Sequence, residues 1–210
     1  MNMRIWLIML LSALLGGCFN LGNDSKGASS VIYVLADKPA AAPRSAPALP
    51  YTLLIEPTHT SAYDNNIALV YSRTPDTRGH YKYARWSERP SVRLSELLFN
   101  RLSGANLYTT VADSNSDVVA DRRLATELVS FYHDASTDPG HVHVALRAEL
   151  FDTLHRRLIA RRLFEEDVPV KNYNAAGAAA AFNLATQALL DDIVAWLGSA
   201  DTQPSAAHSQ

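Results

Sequence analysis

The residue whose surroundings specify chemistry most narrowly is Cys18, and the chain has no other cysteine. It ends the run Leu15-Gly16-Gly17-Cys18, an aliphatic residue and two small ones followed by a thiol. Each type has a reason. The thiol is the nucleophile that takes up a diacylglyceryl group, and a narrow peptidase cleft needs small side chains on the amino side of the cut. Upstream, Arg4 supplies a positive start, and Ile5 to Leu11, continued by Ala13, Leu14 and Leu15, supplies an apolar stretch. That stretch is shorter than the roughly 20 residues of a membrane span and has the build of an export leader. The expectation is that residues 1–17 are removed and that Cys18 becomes a lipidated amino terminus. Several acyl chains, at about 0.8 kcal/mol per buried CH₂, make such an anchor effectively permanent. Phe19 follows the cysteine. In enterobacterial sorting an Asp there favours retention at the inner membrane, so Phe19 points to the periplasmic face of the outer membrane.

The remaining candidates are weaker. With one cysteine, the mature chain has no internal disulfide, thiol nucleophile or cysteine-based zinc site. His133, His141 and His143 share an exposed face if His133 lies opposite His141, and three imidazoles could hold zinc or copper. Their place beside a turn reads instead as a polar solvent face, so no metal is expected. The serines lie mainly in the tether, turns and tail. There is no G-x-S-x-G elbow, phosphate loop or H-E-x-x-H pair. Glu165-Glu166-Asp167 reads as a solvated acidic run. No catalytic residue and no cofactor are expected. A net charge of -2 leaves no basic field to gather nucleic acid. Tyr71, Tyr81, Tyr83 and Trp86 form an aromatic group whose plain reading is sheet packing. Its sharper reading is a contact surface for a partner protein or for acyl chains, since aromatics are favoured at interfaces.

The elements that carry these residues follow from pattern. Apolar residues make up 48% and charged residues 19%, the balance of one ordinary domain with a real core. Residues 18–50 read as a tether: polar and Gly-rich from Asn20 to Gly27, a short strand at 31–36, then an Ala run punctuated by Pro39, Pro43, Pro47 and Pro50. The domain runs over 51–198, and 199–210 is a frayed polar tail. Strands are expected at Tyr51–Glu56, stopped by Pro57, at Ile67–Tyr71, at Tyr81–Trp86 and at Leu107–Val111. A helix starts near Ser91, after Pro90, with Leu94, Leu97, Leu98 and Leu102 as its stripe and Gly104 as its stop.

The clearest feature is a hairpin on either side of Asp134–Gly140. Leu124, Thr126, Leu128, Ser130 and Tyr132 alternate with polar residues, and so do Val142, Val144, Leu146, Ala148 and Leu150. Placing Leu128 opposite Leu146 and Leu124 opposite Leu150 also pairs Glu127 with Arg147 on the other face, worth a few tenths of a kcal/mol. A third strand near Leu158–Glu165 has no fixed register, because Ile159/Leu163 and Leu158/Ala160/Phe164 ask for opposite faces. The last helix is capped by Asn174 and ended by Gly198, with Phe182, Leu189, Ile193 and Trp196 inward. The expected architecture is α+β in a single domain, an antiparallel sheet with two main helices covering one face.

Taken in order, these segments resemble the ABC-type transport auxiliary lipoproteins, the family that includes paraquat-inducible protein C. The likeness spans roughly residues 15–198. It rests on the run ending in Cys18, the Tyr33 strand and Pro/Ala linker, Leu53-Leu54-Ile55-Glu56-Pro57, Tyr63-Asp64 and Ile67–Arg73. It continues through Tyr81–Trp86 with Pro90 and its Leu-rich helix, the hairpin, and the final helix ending in Ala195-Trp196-Leu197. Asp152–Arg156 departs from it, standing where a Gly-containing turn is expected. The resemblance implies a non-catalytic periplasmic subunit of an ABC or mammalian-cell-entry type system that moves lipids between membranes. Its partners would be a mammalian-cell-entry domain protein and an ABC permease and ATPase. Only Cys18 carries over with a defined chemical role. A homo-oligomer fits a docking subunit, although nothing in the sequence counts protomers. Two other classes remain open at this point, an independent lipid-binding carrier and a periplasmic hydrolase.

Overall fold

The apolar alternation over residues 122–169 folds as expected into three long antiparallel strands, and the rest of the sheet is assembled against the first of them. The computed structural model describes residues 29–38 and 46–202. The leader, Cys18, the prolines at 39 and 43 and the last eight residues lie outside them. The elements are β1 (Val31–Tyr33), β2 (Leu49–Ile55), β3 (His59–Thr60), β4 (Ala68–Ser72), β5 (Gly79–Trp86), α1 (Pro90–Gly104), β6 (Tyr108–Asp113), β7 (Arg122–Asp134), β8 (His141–Asp152), β9 (Arg157–Pro169) and α2 (Ala175–Ala200).

Among the described residues the fold is α+β in a single domain, with one large sheet and two helices. The sheet is mixed, where alternation alone suggested an antiparallel one. One side of β7 carries β8 and then β9, both antiparallel. Its other side takes three short strands in succession, all parallel: β2 at Arg122–Leu124, β3 at Glu127–Leu128 and β4 at His133–Asp134. Beyond β2 lies β6, and beyond β4 lie β5 and then β1 at the edge. The sheet therefore forks. Parallel pairing needs a long crossover. Here α1 lies between β5 and β6, and partner direction leaves no trace in local alternation.

The hairpin keeps the expected register in its lower half, with Leu124 opposite Leu150, Leu128 opposite Leu146 and Glu127 opposite Arg147. Val129 is then an extra residue, a bulge that reverses the faces beyond it. Phe131 and His133 turn into the core, and His133 lies opposite Val142, not His141. A second bulge, at Ile159, resolves the ambiguous third strand: Leu150 pairs with Ala160, while Phe151 pairs with Leu158. The two conflicting apolar sets belong to the two sides of that bulge. At the turn between these strands, Arg156 takes the left-handed conformation (φ 50°) expected of a glycine.

Both helices contribute to one core with the sheet. Leu94, Leu97, Leu98 and Leu102 of α1 are buried as the stripe predicted. On α2, Phe182 stacks on Phe131 with centroids 4.3 Å apart and meets Trp86 edge-on at 5.5 Å, while Trp196 meets Phe164 at 5.6 Å. The Asn174 side chain caps α2 by accepting from the Gly177 N–H at 2.8 Å. The helix passes through Gly198 and ends at Ala200, where Asp201 accepts from Arg122 Nε at 2.7 Å.

Candidate functional site

The chain's only cysteine lies amino-terminal to β1, so how the segment after β1 is held decides how any anchor there connects to the fold. Tyr33 is half-buried and Leu35 is a core residue. The Leu35 carbonyl accepts from Arg93 Nε of α1 at 2.9 Å, and the Ala36 N–H donates to Asn183 Oδ1 of α2 at 3.0 Å. Asp37 then takes a two-pronged hydrogen bond from Arg101, with Nε to Oδ2 at 2.9 Å and a second, tighter contact from the other guanidinium nitrogen. The Arg101 and Asp37 side chains are each 6% exposed. Arg101 also bonds Asp191 of α2. Residues 31–37 are therefore a strap, stitched to β5 at one end and to both helices at the other.

Arg101 has a legible signal. It falls on the Leu94/Leu98/Leu102 stripe of α1, where a charge is out of place unless paired. Burial works against its charge, but the two aspartates outweigh this and raise its pKa. Asp37 gave no such sign in the sequence.

The four aromatic candidates do not share one surface. Trp86 is sealed in the core against Phe131 and Phe182, so it offers nothing to a partner. Tyr81 is half-buried, and its hydroxyl lies 2.8 Å from His133 Nδ1. His133 Nε2 lies 2.9 Å from the Pro139 carbonyl, which can only accept. The neutral imidazole is therefore protonated on Nε2, and Tyr81 donates to Nδ1. Burial lowers the His133 pKa and, with the neighbouring tyrosines, pushes Tyr81 up to about 12. Tyr71 meets Tyr81 edge-on at 5.2 Å, and Arg73 lies over the Tyr71 ring at 4.9 Å. Tyr83 alone of the four is well exposed. The kink comes from β5 itself: His80 and Arg85 pair with Val70 and Ala68, so β5 bulges between them and Tyr81 and Trp86 both turn inward.

His133 is fully buried while His141 is exposed, and His143 faces Asp167 at 3.5 Å. The trio is thus split by the Val129 bulge. Among the described residues no group of three or more His, Cys, Asp or Glu could hold a metal ion. The outward face of β7–β9 is laced by Glu127–Arg147 and Glu149–Arg161 pairs around an open groove that His59 also lines. A second cleft, about 310 Å³, lies between α1 and the β2–β3 corner, with Ile55, Val92 and Phe99 as its apolar lining. No described helix is long and apolar enough to cross a membrane.

Residues 33–194 match the family model of the ABC-type transport auxiliary lipoprotein component. The chain belongs to this family. Comparison with curated protein sequences gives no match. Among solved structures, a Xanthomonas campestris protein of family DUF330 is 21% identical, covers 83% of this chain and 98% of its own, and superposes with a TM-score of 0.76. An uncharacterized protein is 14% identical over 80% of this chain and 99% of its own, with a TM-score of 0.63. A hypothetical protein from Chlamydia trachomatis is 11% identical over 73% of this chain and 99% of its own, at a TM-score of 0.50. At these identities the likeness is one of fold. The auxiliary-lipoprotein match begins at Tyr33, inside the strap, and ends at Val194, close to the end of α2.

Proposed function

We propose that this chain is a non-catalytic, lipid-anchored subunit that docks an ABC or mammalian-cell-entry type lipid transport complex at the periplasmic face of the outer membrane. Family membership supports the transport role. The strap carries the docking part of the reading. Its residues are built into the core at Leu35 and clamped to both helices through Asp37 and Arg101, so a load applied through Cys18 enters the folded body and not a loose loop. The division of labour follows. Cys18 fixes one end at the membrane, and the domain holds the periplasmic end of the complex. Tethering raises the effective concentration of the two without new contacts. The ATPase, permease and mammalian-cell-entry chains are separate proteins in this account, and palmitate-type chains on Cys18 are the membrane attachment.

Cys18→Ala tests the arrangement. The variant is expected to fold with an unchanged melting temperature, to leave the membrane fraction, and to lose envelope-integrity function. A soluble Cys18→Ala protein that supports full function would overturn the docking role.

A further inference from the structure

The β1–β5 edge of the fold carries an apolar surface that the docking role leaves unexplained. Alternation along the strap sends Tyr33 and Leu35 inward and Ile32 and Val34 outward. The outward pair is 52% and 54% exposed. Ile32 stands beside Arg85 in the β1–β5 register, and Tyr83, two residues earlier on β5, is 50% exposed. The Lys82 ammonium lies over the Tyr83 ring at 5.1 Å. Lys38, Arg85 and Arg89 are exposed nearby. Among the described residues, Asp37 is engaged with Arg101, Glu88 with Arg93 at 4.0 Å, and Asp64 with the Ser61 hydroxyl at 2.6 Å. What faces outward is aliphatic, aromatic and cationic.

We infer that the outer face of β1–β5, centred on Ile32, Val34 and Tyr83, rests on the anionic bilayer in which Cys18 is anchored and sets the orientation of the domain. The inference rests on the lipidated reading of Cys18. Two observations select a bilayer as the occupant. From Cys18 to Val31 the chain reaches at most ~45 Å, and about 20 Å as a coil, so this edge is the part of the fold held nearest the anchor. A short tether also holds it there at millimolar effective concentration, enough to populate a weak contact. The chemistry fits as well. Tyrosine is favoured at headgroup depth, and each Lys or Arg near an anionic leaflet strengthens binding about fivefold. The backbone edge of β1, which no other described strand pairs, would face hydrated headgroups that can satisfy it.

The test uses full-length lipidated protein in vesicles of phosphatidylethanolamine and phosphatidylglycerol at about three to one. Cys18 is consumed by the lipid, so Tyr83→Cys creates a unique thiol for an environment-sensitive fluorophore. Leu163→Cys, exposed on the far edge strand β9, is the reference. The expected result is a blue shift and quenching by spin-labelled lipid at position 83 and neither at 163. Adding Ile32→Glu and Val34→Glu should cut the quenching at least tenfold while the protein still floats with the vesicles. A label at 83 as solvent-exposed as that at 163, on protein that floats, overturns the inference and leaves the anchor intact. Protein that does not float removes the anchor on which both depend. A blue shift in unlipidated Cys18→Ala/Tyr83→Cys protein without vesicles, growing with protein concentration, would assign the face to a second copy of the chain and overturn it as well.

Discussion

Replacing Asp37 by alanine should loosen the strap, and the structure sets the size of the effect. The Asp37 and Arg101 side chains are each 6% exposed. Removing one member of a buried ion pair typically costs 3–5 kcal/mol, because the other charge is left desolvated. Arg101 keeps Asp191, whose side chain is 39% exposed and can share water, so the expected loss is about 2–3 kcal/mol. With a urea slope near 2 kcal/mol/M, the midpoint should fall by about 1–1.5 M. The melting temperature should fall by roughly 5–10 °C. Hydrogen exchange should quicken at Ala36 and through β1 before it does in β7–β9. The double replacement Asp37→Leu/Arg101→Met removes both charges and should cost less than the sum of the two single changes. An Asp37→Ala protein within ~0.5 kcal/mol of the parent, with unaltered exchange in β1, would refute the idea that this pair locks the strap.

Burial holds the His133 pKa below its ordinary value, so between that depressed value and about 6.5 the unfolded chain binds a proton that the folded one does not. The resulting stability is complete above pH 6.5 and declines as the pH falls, by up to about 1.4 kcal/mol per unit; urea midpoints at pH 7.5 and 5.5 should differ less in His133→Gln than in the parent. Deleting Val129 removes the bulge but leaves Leu128 opposite Leu146, Ser130 opposite Ala145 and Phe131 opposite Val144, so Phe131 and His133 stay inward. A cooperative transition by circular dichroism with a loss of no more than about 3 kcal/mol is expected, and failure to fold would contradict this register. Gly177→Ala should destabilise, contrary to the ~1 kcal/mol that alanine ordinarily gains in a helix, because the added Cβ would stand 2.2 Å from the Asn172 carbonyl oxygen; a raised melting temperature would contradict that packing.

Much of the fold can be read from alternation and helical stripe alone, since these report which face of an element is buried. The β7–β8 register near Leu128 and Leu146, the α1 leucines and the Asn174 cap all follow from such patterns. The bulges at Val129 and Ile159 do not. Each adds one residue and inverts the faces beyond it, so Ser130 and Tyr132 match the pattern and yet lie on the wrong side. Partner direction is equally silent, which is why the parallel pairing of β2, β3 and β4 on β7 needed the structure. At the candidate site, Tyr83 stands out among the aromatics only once the β5 bulge is seen. The strap was half legible. Val31–Leu35 reads as a strand, and Arg101 is a misplaced charge on an apolar stripe, but their meeting through Asp37 joins positions too distant in sequence for any local pattern to connect.

The docking role is tested most directly by purifying the lipidated protein from its own cells in gentle detergent and identifying what accompanies it by mass spectrometry. The account predicts recovery of a mammalian-cell-entry domain protein together with an ABC permease or ATPase, lost or sharply reduced when Cys18→Ala releases the chain from the membrane. Recovery of this chain alone, under washes that keep other envelope complexes intact, would contradict it.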